Sequence, residues 1–265
     1  MLFRSDDDFV SPGTVDRCVE FLETHPDYSV CQGVSLIVET RPERLKTKVE
    51  LGWNVDSDDV CQRLRDYSQN WYAPFYGVYR TRGLANIFDA LAESTCLDRC
   101  RILAEFLHSF LALTDGKMQV LPTFYSARQS HLTNACAVDP PSTSTDDFNA
   151  LTIPFSNCLR RAIWRTPGVS LADADAAIAT CVAAAADSVQ QWGRRKPSGL
   201  GKVAYEILRP LRQLAERFAQ GPRPRTSRTL PVADLFEHPD FVLAASLVER
   251  FPAGIPSAEQ QTKAA

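Results

Sequence analysis

Ser5-Asp6-Asp7-Asp8-Phe9-Val10-Ser11-Pro12-Gly13, which follows directly on Met1-Leu2-Phe3-Arg4, decides how the rest of this chain is read. A short apolar segment at Leu2-Phe3 runs into three carboxylates and then into a helix start. In an extended segment side chains alternate, so Asp6 and Asp8 project to one side and Asp7 to the other. Two carboxylates that close repel unless a cation or solvent relieves them, and hard oxygen ligands suit magnesium, manganese or calcium. The competing account is a solvated acidic terminus.

Ser11 is a suitable N-cap and Pro12 a suitable first helical residue. Val15, Cys18, Val19 and Leu22 then recur at i, i+3, i+4 and i+7, which predicts a helix from Pro12 to about Glu23, stopped by Thr24-His25-Pro26. Tyr28 to Val38 is rich in β-branched and apolar residues and reads as a strand. The order is strand, acidic turn, helix, strand, and the class is α/β.

Trp71-Tyr72-Ala73-Pro74-Phe75-Tyr76-Gly77-Val78-Tyr79-Arg80-Thr81 reads mainly as a half-buried strand, with a possible helix from Gly83 to Leu91. Aromatic faces stack on sugar rings and arginine pairs with phosphate, so Tyr79 and Arg80 are candidate ligand-binding residues. Leu103, Phe106, Leu107, Phe110 and Leu111 give an amphipathic helix that stops at Asp115-Gly116, and Lys117 to Tyr125 resumes as a strand. Glu105 lies off the apolar stripe, four residues after Arg101, where a solvated ion pair is the simple account.

The stretch Ser5 to Pro12, then Phe21-Leu22-Glu23-Thr24-His25-Pro26-Asp27-Tyr28-Ser29 and Gly33, resembles the acceptor-side half of GT-A glycosyltransferases, particularly bacterial family 2-like enzymes. The likeness covers roughly residues 2 to 130. It implies part of a GT-A-like mixed sheet with flanking helices, and a DxD motif in which Asp6 and Asp8 hold Mn²⁺ or Mg²⁺ on the diphosphate of a nucleotide-sugar, with Asp7 contributing nucleotide contacts. Glu105, Gly116, Lys117, Pro122, Tyr125 and Arg128 resemble the layout around the catalytic base, which makes Glu105 the candidate base and Asp98 its substitute. The acceptor implied is a carbohydrate or lipid-linked hydroxyl, and the transfer inverts the anomeric centre. In such enzymes the nucleotide-binding β/α units precede the acidic turn; here five residues do, so a coding start upstream or a degenerate remnant is expected.

With 265 residues, 45% hydrophobic and 23% charged, the chain is globular in composition, and a net charge of -3 with pI near 5.9 argues against a general nucleic-acid binder. The eight cysteines contain no CxxC pair, and the histidines stand at no zinc-ligand spacing, which points to a reduced, cytoplasmic protein with partly buried thiols. There is no signal-peptide pattern and no run of apolar residues long enough to span a bilayer, although peripheral membrane contact is compatible with the sequence.

Residues 1–135 form the expected GT-A-like domain, and the Pro-, Ser- and Asp-rich stretch 136–147 the linker. A helical domain is expected over 148–255 and a mobile tail over 256–265. Phe148 to Trp164 is expected to be a helix broken or kinked at Pro154; Ser170 with Asp173 resembles a capping box that opens a helix ending at Gly193; a third helix is expected over about Lys202 to Ala219, with short ones around Leu235 and from Phe241 to Phe251. Basic residues from Arg194 to Arg228 read as solvated helix faces more readily than as an anion patch. Two functions follow: a metal-dependent glycosyltransferase using Asp6, Asp8 and Glu105, or a non-catalytic helical interaction protein built on a degenerate transferase fragment.

Overall fold

The helix after the acidic turn starts where its residues dictate. Ser11 is extended (φ -70°, ψ 111°), its hydroxyl oxygen accepts from the Thr14 N–H at 3.3 Å, and Pro12 opens helix α1 (Pro12–Thr24). The helix ends with the His25 N–H donating to the Phe21 carbonyl at 3.0 Å. This computed structural model describes residues 8–41, 44–50, 52–69, 71–72, 74–94, 100–130, 145–193 and 238–243.

Along the chain the elements are β1 (Phe9–Val10), α1, β2 (Tyr28–Arg41), β3 (Arg44–Glu50), α2 (Val60–Gln69), β4 (Val78–Tyr79), α3 (Thr81–Ser94), α4 (Arg101–Asp115), β5 (Lys117–Ser130), α5 (Thr145–Ile163) and α6 (Leu171–Gly193). The five strands form one mixed sheet in the order β1-β5-β2-β3. Its spine is the parallel pair β2 and β5, in register from Tyr28 opposite Lys117 to Glu39 opposite Ser130, with irregularities around Tyr28, Gln32 and Val34. β1 pairs antiparallel with the far part of β5, Phe9 opposite Ala127, and the second edge of β2 is shared by β4 at Val30-Cys31 and by β3 from Ser35 onward. The protein is thus α/β. The strand beside the acidic turn follows the acids, at Phe9-Val10, and the expected Leu2-Phe3 strand lies outside the described residues.

Helix α4 is the centre of the core. Every residue from Ile102 to Thr114 is buried except Glu105, so this helix is enclosed on nearly all sides rather than along one stripe. Phe106, Phe110 and Leu107 meet Tyr67 and Leu64 of α2, Leu84 and Ile87 of α3, and Leu151, Phe155 and Cys181 from α5 and α6 in one apolar cluster. The helices beyond the linker therefore share their core with α4 instead of forming one of their own.

Helix α5 runs unbroken through Pro154, where a break or kink was expected. α6 starts as its cap predicts, with the Ser170 hydroxyl oxygen accepting from the Asp173 N–H at 3.1 Å. Of the later helices expected, residues 239–243 are helical; Lys202 to Ala219, Leu235, residues 244–251 and the tail from 256 lie outside the described residues. The described cysteines, Cys18, Cys31, Cys61, Cys100, Cys158 and Cys181, are buried. Among the described residues, no helix is long and apolar enough to cross a membrane.

Strand alternation divides the outer sheet into two faces. Phe9, Val34, Leu36, Val38, Val49, Phe124 and Ala127 pack together on one face, covered by Phe241. The alternate positions, Asp8, Ser35, Glu50, Ser126 and Arg128, belong to the other.

Candidate functional site

The parallel pair determines where ligand-binding side chains can gather. α1 turns tightly into β2 and α4 tightly into β5, so both helices run back along these strands and bring their N-terminal ends beside the carboxyl-terminal halves. Hydrogen bonds fix α1 there: the Ser11 N–H donates to the Tyr125 carbonyl at 2.8 Å and the Thr14 hydroxyl to the Phe124 carbonyl at 2.7 Å. Open α/β sheets bind ligands outside the carboxyl ends of their parallel strands, where helix N-termini and strand ends converge.

Three charged groups and one phenol meet there. Arg128 lies with its guanidinium 4.2 Å from the centre of the Tyr76 ring, a stacking distance at which the cation faces the ring's negative surface. Its Nε is 4.0 Å from Asp8 Oδ2 and its Nη1 3.7 Å from Glu50 Oε2. Asp8 is nearly enclosed, with its side chain 7% exposed, whereas Arg128 and Glu50 stand at 25% and 31% and open to solvent.

Burial pushes the Tyr76 phenol above its ordinary pKa, Arg128 opposes that shift, and the Asp8 and Glu105 carboxylates add to it. The Tyr76 loop is tied down by the Tyr125 hydroxyl, which donates to the Tyr76 carbonyl at 2.5 Å.

Glu105 is the one residue between Ile102 and Thr114 of α4 that is not buried. Its position in the second turn puts it near the positive end of the helix, where a carboxylate is favoured. On the opposite side of the sheet edge, the Ser11 hydroxyl also contacts the Asp240 carboxylate at 2.5 Å, and Phe241 packs edge-on against Phe124 with ring centres 5.4 Å apart. The segment 238–243 thus braces the start of α1 from behind the charged face.

Two other expected ligand-binding residues are elsewhere. Tyr79 is 2% exposed and its hydroxyl donates to the Pro74 carbonyl at 2.8 Å, so it is part of the core. Arg80 donates to the carbonyls of Tyr28, at 3.1 Å, His25, at 3.0 Å, and Leu22. These carbonyls close the C-terminal end of α1, and the 13 residues of that helix put the opposite end about 20 Å away. Lys117 is engaged with Asp27 at 2.9 Å and Asp58 at 2.6 Å, at the start of β5.

Asp6, Asp7 and Asp98 lie outside the described residues. Among the described residues, no group of three or more His, Cys, Asp or Glu side chains is arranged to hold a metal ion. Asp8 supplies one hard oxygen donor group at the edge, which fits an ion such as Mg²⁺ that takes one or two carboxylates and completes its shell with water and phosphate. A shallow groove of about 350 Å³ between α1 and β5, lined by Arg17, Phe21, Thr24 and Pro122 among others, includes none of Asp8, Glu50, Tyr76, Glu105 or Arg128.

Sequence reasoning missed Glu50 and Tyr76. Glu50 belongs to an edge strand whose charged residues hide its alternation, and Tyr76 to an aromatic run that gives no reason to prefer one ring over another. No protein-family model matches the chain, and neither a curated protein nor a solved structure matches it significantly.

Proposed function

We propose that the chain is a glycosyltransferase of GT-A type, which moves a sugar from a nucleotide-sugar donor to an acceptor hydroxyl. The observation that supports this reading is the placement of Asp8 4.0 Å from Arg128, whose guanidinium lies over the Tyr76 ring, in the carboxyl-terminal half of the parallel pair, with Glu105 the unburied carboxylate of α4. Asp8, with Asp6 beside it in sequence, would hold Mn²⁺ or Mg²⁺. When bound, that cation supplies positive charge for the leaving diphosphate.

Glu105 acts as the general base. As the acceptor hydroxyl oxygen attacks the anomeric carbon, the carboxylate takes its proton while the bond from that carbon to the phosphate oxygen breaks, and the electron pair leaves with the diphosphate. Attack from the face opposite the leaving group inverts the anomeric centre. The enclosure of α4 holds the backbone under Glu105 rigidly, so only its carboxylate needs to move.

A second reading, a helical interaction protein, draws support from Ile153, Trp164 and Leu171, which are 64%, 54% and 64% exposed. The readings separate in one experiment. Full-length protein with Mn²⁺ and UDP-glucose, UDP-N-acetylglucosamine or GDP-mannose should show a raised melting temperature that Asp8→Asn abolishes. Glu105→Gln should keep that stabilisation while slowing release of the nucleoside diphosphate by about 10²- to 10⁴-fold. Absence of stabilisation by every donor, with Asp8→Asn indistinguishable from wild type, would leave the interaction reading.

A further inference from the structure

Resting on the glycosyltransferase reading, we propose that Arg128 is the anion-binding half of the site: its guanidinium, stacked on Tyr76 between Asp8 and Glu50, receives the diphosphate oxygens of the ligand whose cation Asp8 holds. Three observations carry it.

The first is position. The guanidinium is planar with its N–H groups in that plane, and its carbon lies 4.2 Å from the centre of the Tyr76 ring, a cation–π contact that holds this fork of donors at one place. Tyr76 is itself anchored through its carbonyl by Tyr125. Such a fork matches two phosphate oxygens at once, which the point charge of a lysine does not.

The second is distance. At 4.0 Å and 3.7 Å, Asp8 and Glu50 attract the guanidinium but stand beyond the 2.7 to 3.2 Å typical of a hydrogen bond. The carboxylates hold Arg128 in place without tight bidentate pairing, and its side chain remains a quarter exposed. A ligand oxygen entering from solvent can take N–H donors without first breaking a close ion pair.

The third is charge. Asp8 and Glu50 both face one arginine, so the two acids outweigh it by one charge and repel a free diphosphate. Arg128 and a divalent cation together outweigh the two acids. An anion is then accepted only as a pair with its cation, which selects a metal-complexed diphosphate over a free carboxylate or a lone phosphate.

Calorimetry on the full chain tests this with Mn²⁺ alone and then with inorganic pyrophosphate in the presence of Mn²⁺. Arg128→Met is expected to bind Mn²⁺ within about twofold of wild type, or more tightly, while pyrophosphate affinity falls about 10- to 100-fold, the loss of charge-assisted hydrogen bonds. Arg128→Lys is expected to lose roughly tenfold, since charge stays and the fork goes. Phosphate alone should bind no variant. Should Arg128→Met fail to fold by circular dichroism, Arg128→Lys decides. If pyrophosphate binds the arginine variants within twofold of wild type while Asp8→Asn loses Mn²⁺, Arg128 is not the anion site although the transferase reading stands. A wild-type chain indifferent to both Mn²⁺ and pyrophosphate removes both.

Discussion

Replacement of Gly33 by alanine should strike the joint that carries the site. Gly33 lies in β2 where its register with β5 slips, between Gln32 and Val34. A methyl group there would come to 2.6 Å from the Thr123 carbonyl oxygen, 2.8 Å from Tyr125 Cβ and 3.3 Å from Thr14 Cγ2. Two of these three are a backbone atom and a Cβ, which no rotamer change moves, so either the two strands part or α1 lifts. Overpacking of this kind costs about 1 to 3 kcal/mol, and with two contacts below 3.0 Å the expected loss is at the upper end, about 3 kcal/mol, or roughly a 150-fold shift toward the unfolded state.

Urea unfolding followed by circular dichroism and tryptophan fluorescence measures it, with the dependence on urea unchanged if the folded surface is the same. Gly13→Ala is the control. Nothing lies within 4 Å of a methyl at Gly13, which is exposed in the first turn of α1, so that variant should gain up to about 0.5 kcal/mol. Because Thr14 seats α1 on β5 and Ser11 follows Asp8 by three residues, Gly33→Ala should also weaken Mn²⁺ binding. A Gly33→Ala midpoint within about 0.5 kcal/mol of wild type would show that β2, β5 and α1 do not meet as closely as argued.

His108 is 1% exposed among the rings of Phe75, Tyr79 and Phe88, its Nδ1 has no hydrogen-bond partner among the described residues, and burial pushes its pKa down to about 4. The unfolded chain takes up this proton near pH 6.5 and the folded one only near 4, so stability is full above 6.5 and declines as pH falls between them, by about 3 kcal/mol in all. His108→Leu should flatten that part of the curve in urea titrations from pH 4 to 7; an unchanged slope would place the acid sensitivity elsewhere. Arg63, 7% exposed, donates to the carbonyls of Leu113 at 2.9 Å, Ser57 at 2.9 Å and Asp58 at 3.0 Å. Arg63→Met strands these acceptors and should cost about 3 kcal/mol in the same assay, with Arg63→Lys recovering part of it; a neutral Arg63→Met would refute that role.

The elements legible in the sequence are those whose ends carry their own chemistry. Ser11-Pro12 and His25-Pro26 bracket α1 within one residue of its observed end, and Ser170 opens α6, because caps act on adjacent backbone. Asp59 does the same for α2, accepting from the Cys61 N–H at 2.7 Å, a signal present in the sequence but unread. The run from Trp71 to Thr81 reads as a strand because it is aromatic, yet only Val78 and Tyr79 pair with β2; the rings of Tyr72 and Tyr79 are buried through hydroxyls that donate to carbonyls.

Enclosure of α4 on nearly all sides follows from five neighbouring elements, which no single period reveals. The charged cluster was less legible still. Arg128 entered only through a resemblance of layout, and its meeting with Asp8 and Glu50 depends on the register of three strand pairings.

The spine of the sheet has a consequence for how the chain is made. β2 and β5 touch along most of their length although they are about 90 residues apart, with Tyr28 opposite Lys117 and Glu39 opposite Ser130. A ribosome adding roughly 5 to 20 residues per second finishes β2 about 5 to 20 s before its partner emerges. Throughout that interval the nascent strand exposes an apolar edge that only its own distant sequence, or a chaperone, can cover, so the slow, high-contact-order step of folding falls during synthesis rather than after release.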